Sequence, residues 1–478
     1  MVWRGSPVPE DARLSRGLGV RDLVLFYIVA VFNLRWLPVA AAAGPGAVVV
    51  WVVACVTLFV PLALCVVELS SRYPEEGGMY VWSRRAFGDF AGFMTGWTYW
   101  MSNIPYFPGV LYFAAGNALF AVGAQDGPLA ASPLYFVVAA TTGLAIAVLP
   151  NVAGLRVGKW IQNAGAIGVW VPALLLIALG AVALARYGSA TSFALPAAPR
   201  ELGLKDVLFW STIAFAFGGV ETASLMARSV AEPRRTIPRA IVLAGVVIVS
   251  LYILGTVAIL VVIPASEVGG IPGIMQAITR VADRVGAAGL APIAAVLITI
   301  GAVGAVGAWL TAVARLPFVA GLEGRLPSAF GRIHPRYGTP HVAMLAQGAI
   351  TIVLIVVGQA GTDIRGAYNV MISMSIIAYF IPFLLMFASL IRLRREDSPA
   401  GAFRIPGGPR GSTLVAGVGF VTTLAALALA FVPAADEANK ALAFGKVLGL
   451  TIVLLLAGAA IYWRSERARR SSAGRGIL

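Results

Sequence analysis

The chain has 478 residues, of which 59% are hydrophobic and 12% charged, and its mean hydropathy is +0.87. Soluble domains carry roughly 25% charged residues, so this composition excludes an ordinary soluble domain and indicates a chain lying mostly in lipid. The formal charge of +15 does not point to nucleic acid, because the basic residues fall in alternate connections between apolar stretches, whereas a polyanion site needs a basic stripe on one folded face.

Residues 1–21 are polar, with Pro7, Pro9, Glu10 and Asp11. They lack the apolar core of a cleavable signal and read as a cytoplasmic N-terminal segment. Twelve apolar spans follow, at about 22–43, 47–69, 92–122, 133–150, 161–185, 207–227, 240–263, 290–317, 341–358, 365–391, 413–433 and 445–463. A spanning helix needs ~20 apolar residues, so the fold class is an all-α polytopic membrane protein with twelve transmembrane helices. Cys55 and Cys65 share the second span, too far apart to bond along a helix, and read as small packing residues. The linker 264–289 has helical apolar spacing through Ile274, Met275, Ala277, Ile278 and Val281 and is expected across the outer vestibule. The tail 464–478 is basic and Ser-rich, and is expected to be disordered near anionic headgroups.

Of the 36 Lys and Arg residues, 27 fall on the side of the N-terminus, the even-to-odd connections and the C-terminus, and 8 on the other. That asymmetry predicts both termini in the cytoplasm and a multi-pass protein of the cell membrane. The remaining basic residue, Arg35, lies inside span 1.

Two spans are interrupted. Span 6 carries Gly218 and Gly219 followed by Glu221, and span 1 carries Asn33-Leu34-Arg35. Adjacent glycines weaken a helix by about 1 kcal/mol each, and a charge at membrane depth costs at least roughly 2.5–3.5 kcal/mol. Such a segment is expected to break and line a cavity, where freed backbone groups are tolerated. Both interruptions open a set of five spans. The pattern predicts a first five-helix repeat over 22–185, a second, inverted one over 207–391, and helices 11 and 12 over 413–463 outside the symmetry.

Few polar groups lie deep in the spans: Asn33, Arg35, Asn103, Glu221, Tyr368 and Asn369. Arg35 needs a partner there, and two readings stand. It pairs with Glu221 across the two breaks, or it grips a substrate carboxylate with its forked donors. Glu68 and Arg315 sit near span ends, where snorkelling or local pairing accounts for them. Trp309 follows the small-residue face Gly301, Gly304 and Gly307 and is read either as packing or as a cavity aromatic. His334 and His341 lack metal-site spacing, no phosphate-binding loop appears, and no cofactor or metal is expected.

Several motifs in order carry a resemblance. They are Glu68-Leu-Ser-Ser-Arg-Tyr-Pro-Glu-Glu-Gly-Gly-Met-Tyr80 with Arg85-Ala-Phe-Gly88, then Phe217-Gly-Gly-Val-Glu-Thr-Ala-Ser224 with Glu232-Pro-Arg-Arg-Thr-Ile-Pro-Arg-Ala240. They continue with Gly307-Ala-Trp309, Glu323-Gly-Arg-Leu-Pro327 and Thr339-Pro340, and end with Phe403-Arg-Ile-Pro-Gly-Gly408. Over nearly its whole length the chain resembles the amino acid–polyamine–organocation permeases, with a C-terminal third most like glutamate/γ-aminobutyrate antiporters. The resemblance implies a five-plus-five inverted repeat with broken helices 1 and 6, alternating access, and no enzymatic activity. By motif position Phe215 matches the family's span 6 aromatic gate, Glu221 its acidic residue beyond the break, Trp309 its span 8 aromatic, and Asn103 a polar residue on span 3. With Asn33, Leu34, Trp36, Phe217, Gly218, Gly219 and Tyr368 around the breaks, these and Arg35 are the expected substrate-binding residues. Asn103, Phe215, Glu221 and Trp309 are expected to face one cavity.

Span 1 departs from the family. Where a Gly-Ser-Gly type break is usual, this chain has Ala30-Val-Phe-Asn-Leu-Arg-Trp36, and span 5 has no Lys beyond Lys159 at its entrance. The expected partners are an amino acid substrate, the bilayer, and a coupling proton, sodium ion or exchanged amino acid. Polyamine carriage is the alternative within transport, but it needs several uncompensated acids and only Glu221 is deep. A non-transporting receptor or scaffold is the alternative from another class, and it would have no broken helices and no midplane cavity.

Overall fold

The computed structural model describes residues 19–193 except 76, then 204–225, 230, 232–269, 272–359, 364–396, 399, 401–433 and 439–475. The N-terminal segment up to residue 18 and part of the 186–206 linker lie outside the described residues. Among the described residues the regular structure is helical, with no strand. Ten helices are long and apolar enough to cross a membrane. They account for ten of the twelve sequence spans; the other two, spans 1 and 6, are each split.

Span 1 consists of α1 (Val20–Val31) and α2 (Trp36–Ala41). The single crossing α3 (Ala47–Arg72) follows, then a short helix α4 (Met79–Phe87) in the connection, and α5 (Asp89–Ala118). Next come α6 (Pro133–Val152) and α7 (Leu155–Tyr187). Span 6 is α8 (Leu204–Phe215) and α9 (Thr222–Leu225). The second half continues with α10 (Pro233–Val262), α11 (Gly273–Arg284), α12 (Leu290–Val313), α13 (Arg315–Leu322), α14 (His341–Gly358) and α15 (Ile364–Leu393). The chain closes with α16 (Gly408–Leu429) and α17 (Lys440–Arg475).

The 264–289 linker does hold a helix, α11, whose Ile274, Met275, Ala277, Ile278 and Val281 are buried. It packs on α2, α7 and α12, with Gly273 set against Pro38. The tail departs from expectation: α17 runs on to Arg475 instead of ending with the apolar stretch near 463. Glu466 in that extension pairs with Arg325 at 2.7 Å and with Arg470 at 3.3 Å, and these contacts hold the helix past the membrane.

Two features fix the frame around the breaks. α12 lies along α7 with glycines in register, so that a Cβ on Gly168 would fall 2.3 Å from the Leu297 carbonyl and one on Gly165 2.7 Å from the Gly304 Cα. Only bare backbone permits helices that close. At the end of α3, Glu68 is fully buried. One of its oxygens accepts the Ile405 N–H at 2.8 Å; the other lies 3.6 Å from Arg72 and 3.4 Å from Arg394. Arg72 in turn donates to the carbonyls of Leu393 and Glu396, both at 2.8 Å, and the Tyr73 hydroxyl donates to Glu396 at 2.7 Å. Burial, followed by that hydrogen bond, pushes the Tyr73 hydroxyl up to about 12. Glu68 thus pairs locally, as its position near a span end suggests.

Candidate functional site

In span 1 the helix stops at Val31, Phe32 is extended (φ −73°, ψ 116°), and helical geometry resumes at Trp36. The freed groups find new partners. The Arg35 N–H donates to the Asn33 side-chain oxygen at 3.2 Å, and the Asn33 side-chain amide donates to the Tyr106 hydroxyl at 3.3 Å. In span 6 the backbone turns through Ala216–Glu221, with Gly219 at φ +119°, a region that disfavours any side chain. A Cβ on Gly218 would fall 2.4 Å from the Tyr379 ring, so both glycines serve the break, one by conformation and the other by space.

One hydroxyl holds the two breaks together. Tyr252, on α10 and fully buried, accepts the Asn33 N–H at 3.2 Å and reaches the Val31 carbonyl at 2.7 Å and the Ala216 carbonyl at 3.0 Å. Its ring stacks on Trp51 at 4.3 Å, and Phe32 and Phe217 close on it at 5.0 and 5.7 Å.

Between the breaks lies a small cavity of about 20 Å³, room for a water molecule or so. Its walls are Ala30, Val31 and Trp36 from span 1, Ser102, Asn103 and Tyr106 from α5, Phe215, Ala216 and Gly218 from span 6, Trp309 from α12 and Tyr379 from α15. The aromatic groups close on one another: Trp36 meets Phe215 edge to face at 5.7 Å, Phe215 meets Tyr379 edge to face at 5.3 Å, and Tyr106 meets Trp309 at a tilt at 6.1 Å. The Trp309 indole donates to the Ala30 carbonyl at 3.2 Å.

Of the expected site residues, Trp36, Asn103, Phe215, Gly218 and Trp309 line this cavity, whereas Asn33, Leu34, Arg35, Phe217, Gly219, Glu221 and Tyr368 do not. Glu221 sits one layer behind. Its carboxylate accepts from the Tyr99 hydroxyl at 2.6 Å, the Tyr379 hydroxyl at 2.5 Å and the Gly219 N–H at 3.1 Å. Three donors from α5, α15 and its own turn satisfy a fully buried carboxylate without a cation.

Arg35 is therefore not the partner of Glu221, and that sequence-based reading is corrected. Its guanidinium carbon lies 4.3 Å from the centre of the Trp36 ring and 4.5 Å from that of Tyr106, and its tip rests over Gly109. Arg35 neighbours Gly109 on α5 and Tyr368 on α15, while Glu221 is bonded to Tyr99 and Tyr379 on the same two helices. The offsets are ten and eleven residues, or roughly 15 Å at 1.5 Å per residue. The two charges thus sit toward opposite ends of the cavity.

Sequence reasoning missed Tyr99, Tyr106, Tyr252 and Tyr379. A lone tyrosine in an apolar span has no spacing signal. The usable signal was chemical, since a buried carboxylate demands donors and tyrosine hydroxyls are among the donors these spans possess.

Comparison with known proteins agrees with this architecture. A family model described as "Amino acid permease" matches residues 18–457. A transporter of Legionella pneumophila is 31% identical over 420 residues, covering 87% of this chain and 89% of that protein. A glutamate/γ-aminobutyrate antiporter of Lactococcus lactis is 24% identical over 80% of this chain and 77% of its own length. A probable agmatine/putrescine antiporter of the same species is 24% identical over 78% and 79% respectively. Among solved structures, MhsT in complex with L-phenylalanine superposes with a TM-score of 0.61 at 14% identity, covering 87% of this chain and 99% of that one. The likeness in structure is one of fold.

Proposed function

The chain belongs to the amino acid permease family and is a transporter rather than an enzyme, and we propose that it carries neutral or acidic amino acids by alternating access. In this reading the split stretches count as spans 1 and 6 of twelve. The first ten form the five-plus-five inverted repeat, both termini lie in the cytoplasm, and the protein resides in the plasma membrane. The 27-to-8 distribution of basic residues supports that orientation.

One observation carries the choice of substrate. Among the described residues beside the cavity, the formal charge without a partner is positive: Arg35 has no hydrogen-bond acceptor, whereas Glu221 is held by three donors. With a cation toward one end and an anion toward the other, the field along the cavity suits a zwitterion and opposes a dication. Asn103, Phe215, Gly218 and Trp309 would contact the substrate directly, while Asn33, Leu34, Phe217, Gly219 and Glu221 shape the walls behind them. The similarity to an agmatine/putrescine antiporter keeps polyamine transport as the second reading. It requires Glu221 to give up Tyr99 and Tyr379 for the amine.

The test is uptake by the purified protein in liposomes against a panel of amino acids and polyamines, with pH, sodium and internal amino acid varied in turn to find the coupling. Saturable uptake of neutral or acidic amino acids, uncompeted by putrescine or spermidine, is expected. Competition by polyamines alone would overturn the substrate assignment. No uptake of any solute, with the protein folded, would favour a receptor or scaffold.

A further inference from the structure

We infer that Arg35 and Tyr368 form a buried anion subsite, at the end of the cavity away from Glu221, that takes one carboxylate group. This rests on the transport reading above and names the part of the substrate that the site reads.

Arg35 is fully buried, and its Nε, Nη1 and Nη2 all lack an acceptor. No carboxylate lies within ion-pair distance among the described residues, and the rings of Trp36 and Tyr106 supply only their π faces. A cation–π contact stabilises a guanidinium without using its N–H groups, so the forked donors stay free. The second group is Tyr368. Its hydroxyl is buried with no acceptor for its own proton, and the group it interacts with, by charge and by hydrogen bonding, is Arg35. The two side chains come from different elements, the span 1 break and α15, and each still has N–H or O–H groups with no acceptor. They meet at Gly109, where an added Cβ would lie 3.3 Å from Arg35 Nη1 and 3.9 Å from the Tyr368 ring. A side chain at position 109 would fill the notch in which the guanidinium rests.

The donor set decides the class of ligand. A buried guanidinium carries a fixed positive charge and only donors, so an anion is the ligand it favours, and its planar fork matches the two oxygens of a carboxylate. A single fixed cation balances a single negative group, so a monocarboxylate end fits. A phosphate or a free amine does not. Trp36 and Tyr106 both line the cavity and both lie against Arg35, so they are the groups a carboxylate would pass to reach it from the cavity. The same donors could be satisfied by a free halide, and the experiment separates the two sources.

The full-length protein in lipid nanodiscs is titrated with acetate and separately with chloride, at ionic strength held constant with a bulky sulfonate, and its melting temperature is read. Wild type should be stabilised saturably by acetate, and more strongly than by chloride. Arg35→Gln should abolish the acetate effect, Arg35→Lys should retain a weaker one, and Tyr368→Phe should raise the half-saturating acetate concentration about tenfold, the loss of one hydrogen bond to a charged group. An acetate response unchanged in Arg35→Gln would overturn the subsite. If Arg35→Gln does not fold, an unchanged response in Tyr368→Phe does so instead. Stabilisation by chloride with none by acetate would overturn the carboxylate assignment. The measurement requires no transport, so an inactive protein with this acetate response would refute the transport reading and leave the subsite standing.

Discussion

Replacing Tyr252 with Phe removes one oxygen and keeps the ring in its stack on Trp51. The buried Asn33 N–H then loses its acceptor, which costs roughly 1–3 kcal/mol. The hydroxyl carries one proton, so at any moment it serves either the Val31 or the Ala216 carbonyl, and that bond is worth about 1 kcal/mol more. A loss of roughly 2 kcal/mol in local opening free energy speeds amide exchange about 30-fold. Hydrogen–deuterium exchange by mass spectrometry on the protein in nanodiscs reads this directly. Because one hydroxyl touches both breaks, peptides covering 30–36 and 214–222 should lose protection together. If only the first peptide responds, or neither does, Tyr252 is a packing residue and does not tie the two breaks.

Three further substitutions test the carboxylate and the close helix contact. Glu221→Gln puts an NH₂ group where an acceptor served either the two tyrosine hydroxyls or the Gly219 N–H, at a cost of roughly 1–3 kcal/mol. Uptake should fall about tenfold or more, and uptake at the wild-type rate would mean that the carboxylate is dispensable. Gly168→Ala drives a methyl to 2.3 Å from the Leu297 carbonyl and 2.5 Å from the Gly301 nitrogen, backbone that cannot step aside. It should lower stability by about 1–3 kcal/mol in a thermal melt, whereas Gly46→Ala, with nothing within 4 Å, should leave the melt unchanged.

The all-helical membrane class was legible because composition and hydropathy determine it directly. The interruptions were legible because Gly218, Gly219 and Asn33 are poor continuations of a helix in lipid. The relation between Arg35 and Glu221 was not. Each follows its break in sequence, which suggested equal depth. Their neighbours place them apart instead, Arg35 beside Gly109 and Tyr368 and Glu221 beside Tyr99 and Tyr379. Nor could spacing reveal that Glu221 is satisfied by Tyr99 and Tyr379, since that depends on three elements meeting. The extension of α17 escaped notice because its stabilising partner, Arg325, is distant in the chain.

The clasp at Glu68 has a consequence for biosynthesis. Glu68 and the Ile405 amide that it accepts from are separated by 337 residues. At a synthesis rate of roughly 5–20 residues per second, Glu68 and Arg72 are made about 17–70 s before Ile405. Arg394 and the carbonyls of Leu393 and Glu396 come only shortly ahead of it. Throughout that interval a carboxylate and a guanidinium at the end of α3 have only each other and whatever water reaches them. Eight later membrane stretches are being inserted meanwhile, counting the split span 6 as one. The connection before α16 therefore acts as a late fastening. A nascent chain halted before residue 405 lacks α16 and α17, and this joint is still open.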